Sequence, residues 1–151
     1  MAATHQANLY RMIYLSSARG EVSDADLDSI LKSARKNNTE AGVSGLLLFH
    51  DGSFFQVLEG ELKDVRRIYD VILRDPRHHG LILMESKPVQ ERAFADWSMG
   101  YVAPSRLSHQ QRAGFIDLAG AARTDATFTP SPHVSVQIKS FISSFRELAE
   151  I

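Results

Sequence analysis

The chain contains no cysteine. That absence excludes disulfides, thiolate nucleophiles and cysteine-ligated zinc. Long hydrophobic runs are missing as well, and no stretch approaches the ~18 residues of a bilayer-spanning helix. Charge of one sign is also lacking. The 17 Lys and Arg against 18 Asp and Glu leave a formal net charge of -1, which points to neither a nucleic-acid surface nor a membrane patch. The opening MAATHQANLY has neither the basic start nor the apolar core of a signal peptide. Dinucleotide-binding, P-loop, nucleophile-elbow and zinc-protease patterns are all absent. These exclusions lead to the expectation of a cytoplasmic protein with no nucleic-acid or membrane partner.

What remains is an ordinary globular composition. In 151 residues, 44% hydrophobic and 23% charged, there is material for one core and a short appendage. LYRMIYLSS (9–17) mixes aromatic and aliphatic residues without helical spacing and reads as a strand. The period then changes over 23–38. Ser23 is a candidate N-cap, and Leu27, Ile30, Leu31 and Ala34 make an apolar stripe, so a helix is expected to end near Asn37 and Asn38. Residues 43–60 form two apolar runs around Asp51-Gly52, a hairpin signal. A second amphipathic helix follows over 61–75, with Val65, Ile68, Tyr69 and Ile72 on its buried face. Strands are expected over 81–89 and 97–102, joined by the polar stretch QERAFAD.

This order is the split βαβ, ferredoxin-like arrangement: an α+β sandwich whose five-stranded mixed sheet carries two helices on one face. It predicts a first unit over 1–103 and a C-terminal helical extension over 104–151, packed on the sheet or on a partner. Helices are expected at 108–122 and 134–151.

Several polar residues interrupt this apolar pattern. In SFFQVLEG (53–60), Gln56 shares a strand face with Phe54 and Leu58. An unpaired buried amide costs roughly 1–3 kcal/mol, so Gln56 needs a partner. Tyr14 sits between Ile13 and Leu15, and Asn37 and Asn38 close a helical pattern. Each residue also has a plain structural explanation. Asparagine tolerates helix ends, and tyrosine often lies half-buried with a wet hydroxyl. The run DPRHHG gathers Arg77, His78 and His79, where a solvated loop competes with a phosphate or hydroxyl contact. Without an acidic partner at ligand spacing, a metal site is not expected.

Taken together, the motifs resemble the BLUF family, blue-light sensors that use flavin. LYRMIYLS, ARKNN, AGVSGLLLFHDGSFFQVLEG, RDPRHH and FADWSM occur in the family's order across residues 9 to 103. The resemblance implies a non-covalent FAD whose ring lies between the two helices, edge-on to the sheet. Tyr14 and Gln56 then match the photoactive pair, and Asn38 matches the asparagine at the flavin's polar edge. Asn37, Arg77 and His78 match positions near the ring or the ribityl-phosphate chain, and Lys36 could meet a phosphate. Ile30, Phe54 and Ile72 would line the ring. Trp97 and Met99 match the semi-conserved pair on the last strand.

The same resemblance implies light-driven electron and proton transfer from Tyr14, after which Gln56 adopts a new hydrogen-bond arrangement. The last strand and C-terminal helices would pass that change to a downstream signalling protein. The chain reads as a short stand-alone member, not an enzyme, and as a homo-oligomer. Two other readings stay open: a flavin-dependent oxidoreductase, and a cofactor-free ferredoxin-like interaction module.

Overall fold

A computed structural model describes residues 8–95, 97–102, 107–124 and 132–144. Its elements run β1 (Leu9–Ala18), α1 (Asp24–Ala41), β2 (Ser44–His50), β3 (Ser53–Glu61), α2 (Leu62–Leu73), β4 (His78–Pro88), β5 (Gly100–Val102), α3 (His109–Thr124) and α4 (Pro132–Ser143).

Local chemistry sets the boundaries. The Asp26 amide donates to Ser23 Oγ at 3.1 Å and the Ser23 amide donates to the Asp26 carboxylate at 2.9 Å. This reciprocal capping box starts α1. The helix does not stop at Asn37 and Asn38 as expected but runs on to Ala41. Gly42, at φ 68, closes it through its N–H to the Asn38 and Thr39 carbonyls. A residue without Cβ enters this left-handed conformation at little cost, so the stop signal is the glycine. The expected hairpin forms, with Asp51 and Gly52 both at positive φ in its two-residue turn.

The sheet order is β4-β1-β3-β2-β5. β1 pairs antiparallel with β3 and β4, β2 pairs antiparallel with β3, and β5 lies parallel to β2. This is the ferredoxin-like arrangement with a fifth strand, as expected.

Alternation divides the apolar residues between two cores. Met12, Leu47, Phe54 and Leu58 pack with Leu27 and Leu31 of α1 and Val65 and Ile68 of α2. Ile13, Leu15, Leu46, Leu48, Phe55 and Val57 face the other way, against Phe115 of α3 and Ile138, Phe141 and Ile142 of α4.

Three further expectations are corrected. The last strand is only Gly100–Val102, so Trp97 and Met99 precede it. β4 already begins at His78, which places both histidines on a strand, because pairing of Ala18 with His78 extends the β1 ladder. The connection over 90–96 is not simply polar, since Phe94 is buried at 1% exposure. The part of the expected terminal helix over 145–151 lies outside the described residues. Among the described residues, no helix is long and apolar enough to cross a membrane.

Candidate functional site

The register between β1 and β3 places Tyr14 directly opposite Gln56. Both side chains project to the α1/α2 side of the sheet, and both are buried. The Tyr14 hydroxyl donates a hydrogen bond to Gln56 Oε1. The other end of the amide, Nε2, donates to Met99 Sδ at 3.6 Å. Gln56 thus has a partner at each end of its amide, a phenol on one side and a thioether on the other.

Burial drives the Tyr14 phenol far above its usual pKa, and the nearby Asp75 carboxylate and Tyr69 push the same way. The cause is loss of hydration around a would-be phenolate. Tyr14 is therefore a fixed proton donor at neutral pH.

Above this pair lies a cavity that is partly open to solvent. Its floor comes from Tyr14, Leu47, Phe54 and Gln56 of the sheet. One wall comes from Ile30, Ser33, Ala34, Asn37 and Asn38 of α1, and the other from Ile68, Val71 and Ile72 of α2. Asp75, Arg77 and His78 complete it from the α2–β4 junction. Most residues singled out in the sequence thus meet in one place: Tyr14, Ile30, Asn37, Asn38, Phe54, Gln56, Ile72, Arg77 and His78. Lys36 does not line the cavity and is exposed on α1.

The polar members already hold protein partners. Asn38, 1% exposed, donates from Nδ2 to the Ser98 carbonyl at 2.7 Å. His78 Nε2 donates to the Ile72 carbonyl at 2.7 Å, which leaves Nδ1 to accept from Ser16 Oγ at 2.8 Å. Its ring lies 6.2 Å from that of Tyr14 and 6.3 Å from that of Phe54. Arg77 forms a fork with Asp75, with Nη2 to Oδ2 at 2.6 Å. Each partner favours the other's charge: hydrogen bonding to Arg77 lowers the Asp75 pKa, and hydrogen bonding to Asp75 raises that of Arg77.

Trp97 and Met99 part company. Met99 belongs to the core on the cavity side. Trp97 belongs to the opposite core and stacks on Phe94, with centroids 5.0 Å apart and planes at 29°.

Sequence reading did not assign Ser33, Ala34, Leu47, Ile68, Val71 or Asp75 to the site. Helical spacing held the signal for most of them. Ser33 and Ala34 lie one turn from both Ile30 and Asn37. Ile68 precedes Ile72 by four positions, and Val71 is its neighbour on a wall open to the cavity.

The lining suits a flat aromatic heterocycle. Its walls are largely aliphatic and aromatic, and the buried amides of Asn38 and Gln56 are among its polar groups.

Comparison with known proteins agrees with this chemistry. The family described as BLUF, sensors of blue-light using FAD, matches residues 9–100. Photoactivated adenylate cyclase subunit beta of Euglena longa is 34% identical over 100 residues, covering 66% of this chain and 12% of that protein. The blue light- and temperature-regulated antirepressor BluF of Escherichia coli is 35% identical over 91 residues, 60% of this chain and 23% of its own. The chain therefore spans only a small part of these curated relatives. Among solved structures, BlsA in its ground state superposes with TM-score 0.73 at 30% identity, covering 94% of this chain and 89% of that one. The dark-state structure of the BLUF protein BlrB gives TM-score 0.70 at 27% identity over 93% and 98% of the two chains. With matched motifs, a matched fold and a tyrosine–glutamine pair at the base of the cavity between α1 and α2, the chain belongs to the BLUF family of blue-light sensors that use FAD.

Proposed function

We propose that this protein is a blue-light receptor that holds FAD non-covalently between α1 and α2, with Tyr14 and Gln56 as its light-responsive pair. One observation carries the reading: the buried bond from the Tyr14 hydroxyl to Gln56 Oε1 lies at the floor of the cavity. Ile30, Phe54 and Ile72 would pack on the ring, and Asn37 and Asn38 would meet its polar edge. Arg77 and His78 would face the ribityl-phosphate chain, with the exposed Lys36 within the same end of α1. Bound flavin would supply visible absorption and an excited state able to accept an electron with a proton.

The remaining steps belong to the chain. Tyr14 holds its proton at Oη and aims it at Gln56. In the described arrangement Gln56 offers its strong acceptor to the phenol and spends its donor on a thioether, a weak acceptor. Rotating the amide by half a turn would exchange the ends. Nε2 would then face Oη, the phenol proton would need a new acceptor, and Oε1 would face sulfur, which offers it no proton. The two arrangements are unequal in energy, so the second has to be driven and then decays. That is the behaviour a reversible switch requires.

Met99 is the first residue outside the pair to feel the exchange. It leads to β5 and, across the sheet, to α3 and α4. A separate effector or a second copy of this chain would receive the signal there, and no reaction of this chain's own is invoked.

Substituting Gln56→Leu tests the reading. The variant should still bind flavin and turn yellow, yet lose the reversible red shift that the parent protein shows under blue light. A parent protein that stays colourless with FAD, or a leucine variant that still shifts, would overturn it. Steady NAD(P)H oxidation in the dark would favour the oxidoreductase reading instead.

A further inference from the structure

Residues 97 to 99 carry the chain from one face of the sheet to the other. Trp97 is buried in the core beneath α3 and α4, and Met99, two residues later, is buried in the core beneath α1 and α2. No regular element holds this crossing, yet its three successive carbonyls are each held from outside it. The Gly45 amide donates to Trp97 O at 2.9 Å. Asn38 Nδ2 donates to Ser98 O at 2.7 Å, and Arg35 Nε donates to Met99 O at 3.0 Å. Arg35 and Asn38 are three apart on α1, so they share a face. Asn38 lines the cavity, whereas Arg35 does not.

We infer that Arg35 is a positioning residue that fixes the 97–99 crossing, keeping Met99 against Gln56 and Trp97 on the opposite face. It thereby couples the Tyr14–Gln56 pair to the α3/α4 side without touching the cavity. Its suitability follows from its chemistry: an ionised guanidinium makes a stronger bond to a carbonyl than a neutral donor, and its long stem reaches from helix to sheet edge. Removing it leaves the Gly45 and Asn38 anchors, so the crossing loosens without the fold being lost. The coupling half of this inference rests on the proposed receptor function, and the positioning half does not.

Trp97 is the chain's single tryptophan, so its emission reports the crossing directly, with no flavin present. In flavin-free Arg35→Ala, emission should move to the red and acrylamide quenching should rise about twofold as local opening becomes more frequent. Arg35→Lys should restore at least part of both, because an ammonium can still donate to the same carbonyl. In flavin-loaded Arg35→Ala the light-induced red shift should persist. The return to the dark form should slow about fivefold, a change in keeping with one partly exposed charge-assisted bond. Unchanged Trp97 emission and quenching in Arg35→Ala would overturn the positioning role. Altered emission with an unchanged dark return would overturn the coupling. A chain that takes up no flavin would defeat the receptor reading, and the flavin-free emission would still decide the positioning role.

Discussion

At the scale of single residues, the controlling fact is that Tyr14 is enclosed. Its ring meets Tyr69 edge-on, with centroids 6.1 Å apart, and burial takes away the hydration that would stabilise an anion at its hydroxyl. The sign of the consequence is fixed by linkage. A phenol whose folded pKa is raised contributes stability that is fully present below the unfolded value of about 10 and is lost as pH climbs beyond it. Tyr69 and Tyr101 are raised too, mainly by burial, but both are less enclosed than Tyr14. Tyr14 should therefore ionise after Tyr69 and Tyr101, together with alkaline opening of the fold. Phenolate absorbance followed against pH checks this. Tyr14→Phe should remove amplitude from the late, cooperative part of the titration and leave the early, reversible part unchanged. Amplitude lost from the early part would mean that the hydroxyl is reached by solvent in the folded state.

At the scale of elements, β3 organises both faces of the sheet through alternation alone. Phe54, Gln56 and Leu58 face the cavity side, while Phe55 and Val57 face α3 and α4. Glu59 follows on that second face, buried at 0% exposure. Its carboxylate accepts from the Ala93 amide at 3.0 Å and the Phe94 amide at 2.9 Å, and Arg11 Nη1 lies 3.6 Å away. Arg11 in turn bonds Glu85 at 2.8 Å. A strand carboxylate thus anchors the connection that brings Phe94 onto Trp97. Glu59→Ala would leave two amides and an arginine short of a partner in a buried place. The expected loss is about 3 kcal/mol, read by denaturant unfolding, with Glu59→Gln costing less because one acceptor survives. A loss of only a few tenths would mean that water reaches those amides.

Glu59 also shows where sequence reading ends. Strand alternation made the face of Gln56 legible and placed it beside Phe54. LEGEL, however, gives no sign that Glu59 is buried and bonded, because its partners are amides thirty-odd positions away. The two asparagines of α1 misled for a related reason: they resemble a helix end, but the left-handed position falls on Gly42. The opposed faces of Trp97 and Met99 were not legible at all. They depend on hydrogen bonds from α1 and β2 to three carbonyls, and no periodicity encodes such contacts.

For the whole molecule, the informative feature is that one sheet carries two cores, joined by a short crossing. The cavity-side core contains the responsive pair, and the other is closed by α3 and α4. These helices are tightly joined to each other and to the sheet. A Cβ on Gly114 would lie 3.1 Å from the Phe141 ring. Gln111 Nε2 donates to Ser144 O at 3.1 Å, tying the start of α3 to the end of α4. Phe141 meets Phe55 of β3 edge-on, with centroids 5.4 Å apart and planes at 83°. The C-terminal helices therefore complete the sheet's second face, and a change reaching that face through the crossing has packed side chains to act on. Phe141→Ala separates the two cores. The cavity left by the ring should cost about 3 kcal/mol, or roughly 10 °C in melting temperature. It should also disturb Trp97 emission, because both rings belong to one cluster. Flavin affinity should stay within about twofold of the parent, since none of the cavity's lining residues belongs to that cluster. If affinity instead fell in proportion to stability, the sheet would be passing packing changes from one face to the other directly, and the crossing would not be the only link between them.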